Sequence, residues 1–159
     1  MTQIEVEADA YHTSPEPILL AAELKGALAL CLRDERRAVG GLLHLRCGSS
    51  GARACDVTDN TLSAVLLVLA RFKRAILGNA TRREDVHARI IAHTFPAKQA
   101  EPDATIVDLI RADLADARLD CAVQMLHGTL AVRVRFEPFG GQLWIADSNG
   151  TCGFAACAL

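Results

Sequence analysis

Residues 27–47 carry the clearest hydrophobic pattern of the chain, with two apolar segments on either side of a charged turn. In the first segment, ALALCLRD, small residues alternate with leucines. A period of two is typical of a β-strand and places Ala27, Ala29 and Cys31 on one face and the leucines on the other. The second segment, GLLHLRC, contains His44. The pattern therefore predicts a central antiparallel hairpin over 27–47 that is buried on both faces.

The rest of the chain predicts two helices set between further strands. The segment TDNTLSAVLLVLARFKRAIL predicts a helix capped by Thr58 or Asp59, and it is apolar nearly all round, which indicates either deep burial or a partner. The segment EPDATIVDLIRADLADA predicts a second helix capped by Asp103. Its predicted buried stripe consists of Ile106, Leu109, Ile110 and Leu114. The predicted strands are ILLAAELK, VHARIIAHTF, LDCAVQML, TLAVRVRFEP and QLWIAD.

This order of elements predicts an α+β fold with mixed and antiparallel sheets and two main helices. A polar, acidic segment at residues 1–17 is predicted to be a tail or an edge strand, and residues 18–159 are predicted to form a single domain.

Composition narrows the possible functions. The chain has 159 residues, 51% of them hydrophobic, and a formal net charge of −2 without a basic stripe, which argues against nucleic acid as a partner. Residues 1–17 have no pattern of a signal peptide. The longest apolar run, AVLLVLA, is far shorter than the ~20 residues of a membrane span. We therefore expect a soluble, cytoplasmic protein.

Six cysteines occur without a CxxC pair. In a chain without a secretion signal, we expect them to be reduced thiols, some of them packed as small hydrophobic residues. The spacing of His44, Cys47 and Cys55 is only loosely metal-like because it lacks a fourth ligand. The sequence therefore predicts no metal and no cofactor.

The hairpin segment ALCLRDERRAVGGLLH resembles the signature of the CheD family, the chemoreceptor glutamine deamidases of bacterial chemotaxis. That signature reads approximately L-G-S-C-V-x-V-C-L-x-D, a short basic turn, and G-G-x-x-H. The resemblance implies a layered α/β sandwich similar to the deamidase domain of cytotoxic necrotizing factors. It also implies a cysteine nucleophile that attacks a glutamine side-chain amide, a histidine base on the neighbouring strand, and an upstream threonine.

Transferred onto this chain, the signature places His44 at the position of the base. The nucleophile position holds Ala27 and the threonine position holds Ala21. The resemblance is thus to a family member that lacks its nucleophile. Cys31 is an alternative thiol on the same strand face as Ala27, but four residues of strand separate the two by ~13 Å, which argues against both meeting one base.

Three functions remain open. The leading interpretation is a catalytically inactive CheD-like protein that binds chemoreceptor helices or a CheC-type phosphatase, partners that the resemblance implies. The alternative is an active protein-glutamine deamidase that uses Cys31 with His44 as base. A small amidohydrolase or an unrelated binding domain on the same fold is the third. His44 could instead be a core histidine bonded to a backbone carbonyl, and His93 and His127 are expected to be structural or solvated.

Overall fold

The computed structural model describes residues 1–46, 59–95, 100–147 and 157–158. They form ten strands, two α-helices and one short 3-10 helix at Arg83–Asp85. The strands are β1 (Gln3–Glu5), β2 (Ala10–Ser14), β3 (Leu19–Leu24), β4 (Ala27–Asp34), β5 (Val39–Arg46), β6 (Val86–Thr94), β7 (Cys121–His127), β8 (Val132–Glu137), β9 (Gln142–Asp147) and β10 (Cys157–Ala158). The helices are α1 (Asp59–Ile76) and α2 (Ala100–Asp116).

The strands form two five-stranded sheets. Sheet I has the order β1-β3-β8-β9-β10, and sheet II has the order β2-β5-β4-β6-β7. Most neighbours are antiparallel, but β1 is parallel to β3 and β6 is parallel to β7. Residues 1–17 contain β1 and β2, which lie at an edge of sheet I and of sheet II respectively.

Two apolar clusters define three layers. One cluster lies between the sheets and joins side chains of β3, β8 and β9 to those of β4, β5 and β6. The other lies on the opposite face of sheet II, where α1 and α2 cover it. The predicted α+β fold with mixed and antiparallel sheets is therefore confirmed.

The predicted hairpin is the centre of sheet II. Ala27, Ala29 and Cys31 face sheet I, whereas the leucines at 28, 30 and 32 face the helices, as the alternation predicted. Every residue of β4 is buried. Cys47, the last residue of the predicted hairpin, lies outside the described residues.

The two glycines of the G-G-x-x-H segment have a packing role in this hairpin. A Cβ added to Gly40 would lie 2.6 Å from the carbonyl oxygen of Leu32. One added to Gly41 would lie 2.5 Å from the carbonyl oxygen of His12 and 2.9 Å from the Phe72 ring. Only a residue without a side chain lets β4, β5 and β2 approach this closely.

The helices agree with the predicted segments but differ in two details. Helix α2 begins at Ala100, so the prediction of Asp103 as its N-cap is wrong. Pro102 suits the first turn of a helix, where its missing N–H costs no hydrogen bond, and the helix can therefore begin before Asp103. Helix α1 is not buried all round, because Leu66 and Leu67 are 38% and 52% exposed.

In the described ranges, neither helix is long and apolar enough to cross a membrane.

Candidate functional site

The site implied by the resemblance lies on the face of sheet II that packs against sheet I. His44 of β5 pairs directly with Ala29 of β4. Ala27 pairs with Arg46, and Cys31 pairs with Leu42. Ala27 and Cys31 are therefore the two diagonal neighbours of His44, and such neighbours are about 7–8 Å apart.

His44 is buried and oriented by one hydrogen bond. Its Nδ1 lies 2.9 Å from the carbonyl oxygen of Val6, which follows β1. A carbonyl only accepts, so Nδ1 donates and carries the proton, and in the neutral ring Nε2 keeps its lone pair. This arrangement fits both a core histidine and a positioned general base, because a base also needs its second nitrogen fixed.

Ala27 occupies the start of β4, directly after a glycine with an unusual backbone. Gly26 has φ +56°, in the left-handed region that favours glycine. The Ala27 methyl is 2% exposed and belongs to the cluster between the sheets. Its side chain therefore shares a face with His44, but it offers no group that can attack an amide.

A second histidine holds this start of β4. Leu28 pairs with Ala92 of β6, so the same register, extended by one residue, places His93 opposite Ala27. The backbone N–H of Gly26 donates to Nδ1 of His93 at 3.0 Å. Nε2 of His93 donates to the carbonyl oxygen of Gly128, also at 3.0 Å.

Both ring nitrogens of His93 are thus engaged, and its side chain is 1% exposed. The Gly26 bond requires Nδ1 to be unprotonated, and the Gly128 bond requires Nε2 to carry the proton, so the ring is neutral. His93 is buried and structural rather than solvated, and no local sequence pattern indicates that it joins three segments at the candidate site. Its partners Gly26 and Gly128 are distant along the chain.

The structure does not bring Ala21 to the same place. In β3, Leu20, Ala22 and Leu24 point into the cluster between the sheets. Ala21 is one residue out of phase with them, and its pairing partners are Glu5 and Arg135. Because side chains alternate along a strand, Ala21 lies on the outer face of sheet I, away from His44.

The ~13 Å between Ala27 and Cys31 does not separate Cys31 from His44. His44 stands opposite Ala29, midway between the two, so Cys31 is its other diagonal neighbour. Burial is the stronger argument against Cys31 as a nucleophile, because the residue is 0% exposed. Burial raises the pKa of the Cys31 thiol far above its ordinary value, and the Arg89 guanidinium lowers it only in part. The thiolate, which is the nucleophile, is therefore strongly disfavoured.

Near the site, an ion pair and an open groove reach the surface. Arg46, the direct partner of Ala27, donates from Nε at 2.8 Å and from Nη2 at 2.5 Å to one oxygen, Oδ2 of Asp9. On the other side, His93 lines a groove of about 430 Å³ between β7 and the β8–β9 pair. Its lining is mostly apolar and includes Leu126, Leu130 and Ile145.

Within the described residues, no three His, Cys, Asp or Glu side chains group as metal ligands would. The arrangement offers a positioned imidazole, a rigid strand start and a groove. Of the two cysteines in the described ranges that are classed as free, Cys31 and Cys121, neither is an exposed thiol beside the imidazole.

Comparison with known proteins supports the resemblance. The chain is 24% identical over 138 residues to the probable chemoreceptor glutamine deamidase CheD of Rhodopseudomonas palustris (strain BisA53). This alignment covers 86% of this chain and 65% of that protein. It is 24% identical over 149 residues to the probable chemoreceptor glutamine deamidase CheD 1 of Ruegeria sp. (strain TM1040), covering 91% of this chain and 77% of that protein. The chain thus spans about two thirds of the length of the first relative.

No protein-family model matches the chain. Among solved structures, the Bacillus licheniformis hypothetical protein YfiH aligns with a TM-score of 0.47 at 13% identity, over 74% of this chain and 51% of that one. The two curated relatives, which match most of the chain, relate it to the CheD family of chemoreceptor glutamine deamidases.

Proposed function

We propose that this chain is a chemotaxis protein of CheD ancestry that does not deamidate glutamine and acts by binding a protein partner. The observation that carries the proposal is Ala27, a buried methyl group on the same sheet face as His44 and diagonal to it. In the signature that the hairpin resembles, this position holds the attacking cysteine.

The chemistry explains why one substitution is decisive. Covalent deamidation requires a thiolate that attacks the side-chain amide carbon and a base that activates the thiol. A methyl group supplies no electron pair, so His44 has no proton to remove at this position. What the site keeps is its scaffold: the fixed strand start, the oriented imidazole and the neighbouring groove.

An active deamidase that uses Cys31 is the second candidate. Its support is the register, which makes Cys31 the other diagonal neighbour of His44. Its difficulty is complete burial, which keeps the thiol protonated and away from a protein substrate. We therefore favour the binding role.

The partner we propose is a cytoplasmic chemoreceptor helix or a CheC-type phosphatase. The names of both curated relatives refer to chemoreceptors. The groove beside His93 supports this proposal because it is mostly apolar and because Leu130, one of its lining residues, is exposed. An apolar groove of this kind suits the apolar side chains of a partner helix.

Two measurements on the purified chain and a cytoplasmic chemoreceptor fragment test the proposal. We expect no ammonia release from wild type, and the same result from Cys31→Ala and His44→Ala. We expect saturable binding of the fragment by calorimetry, weakened by Leu130→Glu and unchanged by Leu67→Glu on α1. Ammonia release that Cys31→Ala abolishes would establish the second candidate. Absence of both binding and ammonia release would contradict a receptor-directed role.

A further inference from the structure

Strand β7 is an edge of sheet II. It lacks the residue types that usually prevent a further strand from pairing with an edge. Among the strands that the structure describes, β7 pairs only with β6. Its sequence, CAVQMLH, contains no proline, no lysine, no arginine and no acid. Natural proteins usually protect a long edge strand with such residues, because its free N–H and C=O groups pair readily with another strand.

Arginines surround the start of this edge strand. A groove of about 540 Å³ is bordered by Ala122 of β7, and Arg83, Arg89 and Arg118 line it together with His87, Glu84 and Asp120. On the helix side of β7, a second groove is lined by Arg111, Asp120 and Cys121. The linings of the two grooves around the first residues of β7 thus contain four arginines and two acidic residues.

These four arginines are not neutralised within the described residues. The ion pairs between described residues involve Lys25, Arg37, Arg46, Lys73, His87 and Arg133 instead. Of the residues that line the first groove, only His87 takes part in one, 3.0 Å from Glu35. An anionic segment that approaches β7 would therefore find guanidinium groups on both sides of the strand. Guanidinium groups bind carboxylates in a bidentate geometry, which adds direction to the attraction.

We propose that the free edge of β7 binds an extended, acidic segment of a partner protein as an added strand. The main chain of that segment would pair with β7, and its acidic side chains would contact Arg83, Arg89, Arg111 and Arg118. A second copy of this chain fits less well, because two β7 edges would bring their arginines together. The end of β7 also borders the groove beside His93. The arginines lie instead around the start of β7, and strand addition there does not depend on the function proposed above.

A labelled synthetic peptide of alternating glutamate and valine tests the proposal by fluorescence anisotropy. We expect saturable binding that weakens as salt is added, since exposed charges are screened. The same peptide with lysine in place of glutamate should not bind. A version N-methylated at every second amide, which keeps all charges but loses the strand hydrogen bonds, should bind at least about tenfold more weakly.

Variants locate the binding surface. Charge reversal at Arg83 and Arg118 together (Arg83→Glu, Arg118→Glu) should weaken binding about tenfold or more. Arg74→Glu on the exposed side of α1 should leave binding unchanged, and circular dichroism should show that all variants are folded. Equal binding of the methylated and unmethylated peptides would refute strand addition. Lack of binding of the glutamate peptide would also overturn the proposal, including the case in which another part of this chain covers β7.

Discussion

The backbone N–H of Gly26 donates a hydrogen bond to Nδ1 of His93, and this bond fixes the residue directly before Ala27. The same imidazole donates to the carbonyl oxygen of Gly128, so one buried ring joins the β3–β4 turn, the end of β6 and the segment after β7. The start of β4 is therefore held by a buried, doubly hydrogen-bonded ring. Under the proposed binding function, this framework keeps the site's shape without a nucleophile.

Loss of the His93 ring should destabilise the fold. His93→Ala leaves a backbone N–H and a carbonyl without a partner, and each buried group left unpaired costs about 1–3 kcal/mol. Urea unfolding should show a loss in this range or above it. His87→Ala is the matched control: its exposed ring pairs with the exposed Glu35, and such pairs contribute about 0–1 kcal/mol. Equal losses in the two variants would contradict the role given to His93.

Shortening a leucine side chain on the helix-facing side of the hairpin should lower the free energy of unfolding. Leu30 is fully buried between sheet II and the helices, so Leu30→Ala should lower the free energy of unfolding by about 2–5 kcal/mol. Leu67→Ala, at an exposed position of α1, should change it by no more than about 0.5 kcal/mol. A similar small shift for Leu30→Ala in thermal or urea unfolding would count against the placement of β4.

The two glycines 41 and 128 should respond differently to alanine. At Gly41 an added methyl meets the carbonyl oxygen of His12 at 2.5 Å, so Gly41→Ala should force β2 and β5 apart. Overpacking of this kind typically costs about 1–3 kcal/mol. At Gly128 no heavy atom lies within 4 Å of the added methyl, and Gly128→Ala should be tolerated. Thermal unfolding of the two variants side by side measures the difference, and a Gly41→Ala variant as stable as wild type would disprove the close contact.

Stability should fall in alkali partly through Cys121. Burial raises the pKa of this thiol from 9.0 to about 11, against smaller lowering effects from a hydrogen bond at Ile90 and from Arg111 and Arg89. The unfolded chain therefore loses the thiol proton first as pH rises. The stabilisation is complete below about pH 9 and is lost as the pH approaches about 11.

The variant Cys121→Ala removes this contribution. Its free energy of unfolding should fall less steeply than that of wild type between those two pH values. Urea unfolding of both proteins at several pH values gives the difference directly, and the other titrating groups cancel in it. Parallel curves would show that Cys121 does not titrate as its burial indicates.

Much of the fold could be predicted because strands and helices show in the periodicity of residues that are close together in the sequence. The alternation of Ala27, Ala29 and Cys31 with leucines predicted β4, its two faces and its central place. The segment VHARIIAHTF was also predicted as a strand, and the stripe of Ile106, Leu109, Ile110 and Leu114 predicted α2. Asp103 was misassigned as a cap because several residues near a helix start can cap it, and Pro102 fits inside the first turn.

The site could be predicted only in part because it depends on register and on long-range contacts. The motif placed Ala27 and His44 on facing strands, but strand spacing alone could not show that His44 stands opposite Ala29. The contact between His93 and Gly26 joins residues 67 positions apart, and no local pattern signals it. Likewise, the phase of β3, which turns Ala21 outward, follows from the packing of Leu20, Ala22 and Leu24 against sheet II.

In the proposed function, Ala27 occupies the place where a nucleophile would meet His44. The variant Ala27→Cys tests it, because a nearby imidazole stabilises the thiolate and lowers the pKa of the thiol, whereas burial alone raises it. The ultraviolet absorbance of the thiolate, followed against pH in Ala27→Cys and in Ala27→Cys with His44→Ala, measures this effect. We predict a lower thiol pKa and faster alkylation by iodoacetamide when His44 is present. Titration curves and alkylation rates that do not depend on His44 would show that the side chain at position 27 does not face His44.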